Sequence, residues 1–178
     1  MLKFLKMKKS AGIIVYRKIN DKYQILLAHI GGPFWKNKKN SWDIPKGELK
    51  DKENPMIAAI REFQEETGLK LTKEDKEKLI YFGEFERKPS PYKNAPQKII
   101  YFYLLNKDFG DNLVPKSNLV KMEYPPKSKN FLVFPEIDKI AYFDLEKAKE
   151  ISLLYLHPVL DKLDNFLKNS KINQEINN

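Results

Sequence analysis

Two runs near the start of the chain are rich in β-branched and aliphatic residues. The first is AGIIVYRK, residues 11–18, and the second is KYQILLAHI, residues 22–30. Polar residues between them provide the short connection that a β-hairpin needs. We therefore predict a β-hairpin as the first element of the fold. Later runs of the same kind predict five further strands: WDIP, IYFGEFER, QKIIYFYLL, NLVKMEY and KIAYFDL.

Helices are predicted where capping residues precede apolar residues at helical spacing. Asn54 and Pro55 are favourable at a helix start, and Gly68 suits the left-handed conformation that ends a helix, so a helix is predicted over residues 55–67. A short helical turn is predicted in LTKEDKEKL, and Asp144 is expected to cap a helix over LEKAKEI. The last predicted helix has a core-facing stripe: Val159, Leu160, Leu163, Phe166 and Leu167.

Strands and helices alternate irregularly, which is typical of a mixed α/β or α+β fold. The lysine-rich segments GGPFWKNKKNS and KGELKDKEN are predicted as loops. A length of 178 residues favours one domain with its own core. We expect a flexible basic arm over residues 1–7, the folded domain over residues 8–168, and a frayed polar tail over residues 169–178.

The overall composition, 42% hydrophobic and 32% charged, is that of a soluble globular protein. No apolar run approaches the roughly 20 residues that span a bilayer, and the first residues lack the apolar segment of a secretory signal. The chain has no cysteine, which excludes disulfides, thiolate metal sites and a cysteine nucleophile. We expect a cytoplasmic protein without membrane partners.

The net charge of +9 favours anionic partners such as nucleotides or nucleic acid. That indication is weak, because nearly all of the 33 basic residues are lysines scattered over the chain, as on any solvated surface. The three arginines are more informative: Arg17, Arg61 and Arg87. An arginine among so many lysines marks a place that uses a planar, bidentate cation.

The helix predicted over residues 55–67 has an unusual polar face. At about 100° per residue, Glu62, Glu65 and Glu66 fall together, with Arg61 at the edge of their arc. Like charges at these spacings repel by a few tenths of a kcal/mol per pair. The opposite face is predicted to be buried: Met56, Ala59, Ile60, Phe63 and Thr67.

A solvent-exposed stripe with Arg61 as counter-ion would explain this face by itself. The residues before the helix favour another interpretation. Glu53 adds a fourth carboxylate at the mouth of the helix, and Gly47 allows the backbone to approach an ion or a phosphate closely. Several oxygen ligands that repel one another are what a hard cation such as Mg²⁺ or Mn²⁺ requires. The sequence therefore predicts a divalent-cation site.

The segment from Gly47 to Leu69, GELKDKENPMIAAIREFQEETGL, resembles the 23-residue signature of the Nudix hydrolase family at every defined position. This resemblance implies an α/β/α sandwich with a mixed sheet. It also implies a hydrolase, dependent on Mg²⁺ or Mn²⁺, that cleaves a diphosphate linkage in a substrate made of a nucleoside diphosphate joined to another group.

The resemblance also implies roles for individual residues. Glu62, Glu65 and Glu66 are expected to be metal ligands. Glu53 is expected to be a further ligand or to support one, and Arg61 to orient the glutamates. The backbone carbonyl of Lys46, just before the signature, is expected to complete the metal shell.

The general base varies within the family between a signature glutamate and a glutamate in a later loop. Glu136, which precedes the predicted strand KIAYFDL, resembles that later residue and is our candidate. Glu123 in KMEYPP is the rival. An ordinary surface salt bridge is the alternative for either residue.

Substrate contacts are predicted from the loops around the signature. The stretch WDIPKGE resembles dinucleoside polyphosphate hydrolases and messenger-RNA decapping relatives, and more of the chain resembles a bacterial subgroup of NTP pyrophosphohydrolases. Lys46 and Lys36 are predicted to contact the polyphosphate, and Gly47 to let it approach the backbone. The aromatic candidates for stacking on a base are Phe34, Trp35 and Tyr92.

We therefore expect hydrolysis of a nucleoside polyphosphate, with a dinucleoside polyphosphate or an NTP favoured. Two alternatives are kept: a Nudix-fold nucleotide sensor without catalysis, and a pyrophosphohydrolase acting on the 5′ end of RNA. No recognisable RNA-binding module accompanies the signature. His29 and His157 are interpreted as structural, because neither has a second histidine at ligand spacing.

Overall fold

The computed structural model describes residues 7–88 and 97–176. The strands are β1 (Lys8–Ile19), β2 (Lys22–Ile30), β3 (Trp42–Asp43), β4 (Lys46–Glu48), β5 (Ile80–Arg87), β6 (Lys98–Asn106), β7 (Leu119–Glu123), β8 (Phe131–Pro135) and β9 (Ile137–Asp144). The helices are α1 (Pro55–Thr67), α2 (Lys73–Glu77), α3 (Leu145–Ile151) and α4 (His157–Ile176), with a 3₁₀ turn at Leu154–Leu156.

Seven of the strands form one mixed sheet. Its main path is β3-β2-β1-β6-β5, while β4 pairs with β1 and β9 pairs with β2. The pair β1–β6 is parallel, and the other pairs of this sheet are antiparallel. Strands β7 and β8 form a separate antiparallel hairpin. The predicted fold class, a mixed α/β domain with a mixed sheet, is confirmed.

The predicted N-terminal hairpin is present as β1 and β2. Its connection consists of Asn20 and Asp21, with φ of 46° and 63°. Two consecutive residues with positive φ match the right-handed twist of the flanking strands, and Asn and Asp tolerate that conformation better than most residues. Ile19 therefore pairs directly with Lys22.

The sheet is covered by helices on both faces, because successive side chains of a strand point to opposite sides. Ile14 packs in a cluster with Leu160 and Leu163 of α4. Its neighbour Ile13 packs in a second cluster with Ala59 and Phe63 of α1. The result is an α/β/α sandwich in which α1, the acidic helix, lies on the face opposite α4.

Several local predictions differ from the structure. The segment KGELKDKEN is not entirely loop, since β4 begins it, and β8 was not predicted. Asp144 precedes α3 without capping it, because its side chain instead accepts a hydrogen bond from Gln24 at 3.2 Å. Phe166 lies at the margin of the core, with 38% of its surface exposed.

Helix α4 continues past residue 168, so the predicted boundary between the domain and its tail remains a prediction. His157 begins this helix. His29 is buried on β2, where its Nδ1 lies 2.6 Å from Asp138 Oδ1. Within residues 7–88 and 97–176, no helix is long and apolar enough to cross a membrane.

Candidate functional site

Helix α1 is fixed at both ends by its own sequence. Asn54 Oδ1 accepts hydrogen bonds from the amides of Met56, at 2.9 Å, and Ile57, at 3.4 Å. Gly68 ends the helix with φ of 75°, and its amide donates to Gln64. Both ends agree with the prediction from Asn54-Pro55 and Gly68. The caps set which residues of α1 face the sheet.

The acidic residues of α1 differ in their exposure to solvent. Glu66 is only 8% exposed, and the side chain of Glu62 is 15% exposed, whereas that of Glu65 is 44% exposed. Glu62 and Glu66 continue the line of Ala58, which is fully buried. The prediction of an acidic side opposite a single buried face was therefore wrong. The helix buries two faces, and the second carries Glu62 and Glu66 against β4.

Arg61 connects most of the acidic groups. Its guanidinium donates to both oxygens of Glu53, at 2.9 and 2.8 Å, to Glu62 at 2.5 Å and to Glu65 at 3.2 Å. It also donates to the carbonyl of Glu48 at 3.1 Å. A planar fork with five N–H donors can satisfy this many acceptors at once, which an ammonium group cannot. Arg61 therefore holds three carboxylates in place.

The acidic groups differ in their pKa because their surroundings differ. Hydrogen bonds from Arg61 lower the pKa of Glu53 to about 2. Burial raises the pKa of Glu66 to about 8, although the nearby ammonium and amide of Lys46 oppose the shift. Burial also raises the pKa of Glu62, with Arg61 opposing it. One carboxylate is thus firmly ionised, while another holds a proton near neutral pH.

Gly47 is required by the position of Glu62. A Cβ on residue 47 would lie 2.0 Å from Glu62 Cδ and 2.1 Å from its Oε2. Such a contact is far below any van der Waals distance, so a side chain here would displace the carboxylate. The glycine therefore lets β4 pack directly on the acid group of α1.

A polar cavity of about 360 Å³ opens in front of these groups. It brings together Glu62, Glu66 and the exposed Glu136, which follows β8. Glu123 does not line it and instead accepts a hydrogen bond from the Lys129 amide at 2.7 Å. The residues that line the cavity are Ser10, Lys46, Gly47, Glu48, Glu62, Glu66, Arg87, Lys98, Ile100 and Glu136.

Comparison with known proteins agrees with this geometry. The NUDIX domain profile matches residues 8–163. The mRNA-decapping protein g5R of African swine fever virus is 35% identical over 133 residues, which cover 72% of this chain and 48% of the viral protein. The chain belongs to the Nudix family. The chain spans about half the length of the viral relatives that it matches.

Other Nudix proteins match along nearly their whole length. The RNA pyrophosphohydrolase of Bartonella tribocorum is 25% identical over 173 residues, covering 91% of this chain and 90% of that protein. Among solved structures, a binary complex of C. elegans Ap4A hydrolase superposes with a TM-score of 0.64 at 23% identity, covering 92% of this chain and 99% of that one. The structural likeness establishes the fold.

The donor atoms of this Nudix domain fit a hard divalent cation. Glu62, Glu66 and Glu136 offer carboxylate oxygens to one polar cavity, and burial raises the pKa of Glu66 although Lys46 opposes the shift. Within the described residues no three His, Asp or Glu side chains already stand at ligand geometry. Arg61 occupies oxygens of Glu62 and Glu65, so these carboxylates would have to reorient to bind a cation.

Lys46 lines the cavity, and its predicted contact with the polyphosphate stays a prediction. Its Nζ pairs with Asp43 at 2.5 Å, and its amide donates to Glu66 at 2.8 Å. Tyr155 also donates to Asp43, at 2.6 Å. Sequence reasoning missed Asp43 and Tyr155 as neighbours of the site, because they come from β3 and from the turn before α4. The role of the Lys46 carbonyl as a metal ligand stays a prediction.

The predicted aromatic contacts lie away from this cavity or outside the described residues. Phe34 packs edge-on against Tyr124, with ring centroids 5.1 Å apart. Lys38 lies over the ring of Trp35 at 4.6 Å. Lys36 is exposed on the same loop, and Tyr92 falls outside the described residues. Their contacts with substrate stay predictions.

Proposed function

We propose that this protein is a metal-dependent pyrophosphohydrolase that cleaves a diphosphate linkage in a nucleoside polyphosphate. The observation that carries the proposal is the convergence of Glu62, Glu66 and Glu136 on one polar cavity that also contains basic groups. A cavity with both acidic and basic groups suits an anionic substrate, because the acidic groups can bind cations and the basic groups can contact phosphates. Family membership supports the same reaction class.

The residues that would hold Mg²⁺ or Mn²⁺ are Glu62, Glu65 and Glu66, with Glu53 and the Lys46 carbonyl as further ligands or supports. When bound, the cation supplies charge neutralisation for the phosphates and activation of a water molecule. Glu53 is held by Arg61 through two hydrogen bonds, which favours a supporting role over direct ligation. Glu65 does not line the cavity and accepts a hydrogen bond from Arg61 at 3.2 Å, so its carboxylate would have to reorient to join the proposed site.

Glu136 is proposed as the general base. It is solvent-exposed at the rim of the cavity and acts electrostatically on Glu62 and Glu66. Its backbone is anchored at both polar groups: its amide donates to Asn118 at 2.8 Å, and its carbonyl accepts from Gly31 at 2.8 Å. A fixed backbone, with a carboxylate that has no hydrogen-bond partner among the described residues, suits a group that takes a proton from water.

A second substrate, the 5′ end of RNA, is supported by the relatives. The viral proteins of 34–35% identity carry the name mRNA-decapping protein, and the two Bartonella relatives are named RNA pyrophosphohydrolase. The net charge of +9 also favours a polyanion. Both substrates contain the same diphosphate linkage, so one site can serve either.

A substrate panel tests this proposal. Diadenosine tetraphosphate, NTPs, 5′-triphosphorylated RNA and capped RNA would be incubated with Mg²⁺ or Mn²⁺, and the products identified by mass. We expect cation-dependent cleavage between phosphates, lost in Glu66→Gln. Nucleotide binding without any product would instead support the non-catalytic sensor. Steeply salt-dependent binding of RNA, with faster RNA cleavage, would favour the RNA end over free nucleotides.

A further inference from the structure

Arg87 differs from the other two arginines of the chain. Arg17 pairs with Asp108 at 2.8 Å and with Asp111 at 2.5 Å, and Arg61 holds three glutamates. In the described part of the chain, Arg87 has no carboxylate partner, although it lines the cavity that contains Glu62, Glu66 and Glu136. A half-buried guanidinium close to acids, yet paired with none, is available to bind an anion.

The other two basic side chains that line the cavity have acidic partners, although one of these partners, Glu48, also pairs with Lys8 at 3.0 Å. Lys46 Nζ pairs with Asp43 at 2.5 Å, and Lys98 Nζ pairs with Glu48 at 2.6 Å. Each carboxylate reduces the charge that its ammonium partner can offer to a ligand, Glu48 less than Asp43 because Glu48 is shared between two lysines. Among the described residues that line this cavity, Arg87 is the cation without an acidic partner. It is therefore the lining cation that can pair with a bound anion without first leaving a carboxylate of the described residues.

Tyr155 holds Arg87 in this position. The guanidinium carbon of Arg87 lies 5.2 Å from the centroid of the Tyr155 ring, within cation–π range. The hydroxyl of Tyr155 donates to Asp43 at 2.6 Å, and Asp43 in turn accepts from Lys46. This chain of contacts fixes the ring, which leaves the N–H edges of the guanidinium free for hydrogen bonds. Stacking thus orients Arg87 without neutralising it.

We propose that Arg87 forms a phosphate-binding subsite for a substrate phosphate other than the one at the cation, and that Tyr155 is its positioning residue. The inference rests on the proposed function and deepens it. A guanidinium fork matches two phosphate oxygens, and such charge-assisted pairs are stronger than neutral hydrogen bonds. The acids of the cavity repel a polyphosphate, so a cation in the same cavity stabilises the negative charge of the additional phosphate.

The first experiment measures binding without turnover. Methylene-bridged diadenosine tetraphosphate and inorganic tripolyphosphate would be titrated by calorimetry into the wild type, Arg87→Gln, Arg87→Lys and Lys88→Gln, all with Mg²⁺. We expect Arg87→Gln to weaken both probes about tenfold or more. Arg87→Lys should recover part of the affinity, because an ammonium keeps the charge but loses the fork. Lys88→Gln is the matched control, since Lys88 is exposed and does not line the cavity.

The second experiment separates positioning from structure. Tyr155→Phe keeps the ring but loses the bond to Asp43, and Tyr155→Leu removes the ring. Both should raise KM, the leucine variant more, while kcat changes less than KM. Thermal unfolding of each variant identifies a merely structural effect, which would lower Tm without changing the affinity for tripolyphosphate.

The outcomes distinguish this inference from the proposed function. Unchanged affinity of Arg87→Gln for both probes would overturn it, as would a wild type that binds neither probe. Loss of affinity for the nucleotide analogue but not for tripolyphosphate would also overturn it, because Arg87 would then contact the base. If the wild type binds the probes through Arg87 but cleaves no substrate, the subsite stands and the proposed hydrolase activity fails.

Discussion

Replacing Glu66 by glutamine tests whether the acidic helix is destabilised when no cation is bound. Glu66 is 8% exposed, and burial raises its pKa to about 8 from an ordinary value of 4.5. Its Oε2 accepts the Lys46 amide at 2.8 Å. A glutamine oxygen can keep that hydrogen bond while removing the titrating group. The substitution therefore isolates the charge and leaves the packing nearly unchanged.

The direction of the pH dependence of folding stability follows from the number of protons bound in the folded and unfolded states. A carboxyl group whose pKa is higher in the folded than in the unfolded state binds more protons when folded, so stability falls as the pH rises between the two values. The window here runs from 4.5 to about 8. Within this range, each rise of one pH unit lowers the free energy of unfolding by about 1.4 kcal/mol. The loss is roughly 3 kcal/mol at pH 7 and at most about 5 kcal/mol above pH 8.

The assay is thermal and urea unfolding in EDTA from pH 5 to pH 9. We expect Glu66→Gln to match the wild type near pH 5 and to exceed it at pH 8, by several degrees in Tm for a chain of this size. Added Mg²⁺ or Mn²⁺ should stabilise the wild type more than the variant, because a cation favours the ionised carboxylate. Glu84→Gln, at an exposed position of β5, serves as the control. A stability difference that stays constant across this pH range would refute the reasoning.

Three further predictions follow from the same contacts. Gly47→Ala should reduce cation-dependent turnover by at least about tenfold, since its Cβ would displace the Glu62 carboxylate; unchanged metal affinity by calorimetry would contradict this. Glu53→Gln should reduce the loss of stability on acidification from pH 4.5 to about 2, because Glu53 is held ionised by its arginine partner; urea unfolding at pH 3 and pH 6 measures it. Glu136→Gln should lower kcat about 100-fold or more with little change in substrate affinity, whereas Glu123→Gln should not, and the opposite ranking would exchange their roles.

The parts of the fold that the sequence predicts are those set by local chemistry. The turn at Asn20 and Asp21 combines two residues that tolerate positive φ between two β-rich runs. Helix α1 has its capping side chain and its terminal glycine within the same short segment. Hydrogen bonds over a few residues decide such features, so a single sequence contains the necessary information.

The features of the site that the sequence predicted wrongly or did not predict depend on tertiary contacts. A helical wheel with one buried face predicts that Glu62 and Glu66 are exposed, but β4 covers a second face of α1. The ion pair between Lys46 and Asp43, and the hydrogen bond from Tyr155 to Asp43, were missed because they join β3, β4 and the turn before α4. Among the described residues Arg87 forms no ion pair although it lines a cavity that contains three glutamates, and no local pattern encodes that arrangement.

The mutual repulsion of the α1 glutamates is resolved in two different ways within two turns of helix. Around Arg61 the charges are compensated by hydrogen bonds, and Glu53 stays ionised even in acid. At Glu66 the hydrogen bond comes from the Lys46 amide, and burial still raises its pKa to about 8, so a proton removes the charge near neutral pH. A cation that binds in the cavity would displace that proton and replace the hydrogen bonds from Arg61 to the oxygens of Glu62 and Glu65. Its affinity should therefore rise with pH up to about 8, because proton release is part of binding. In the proposed function, Arg61 thus keeps Glu53, Glu62 and Glu65 in place until a cation binds.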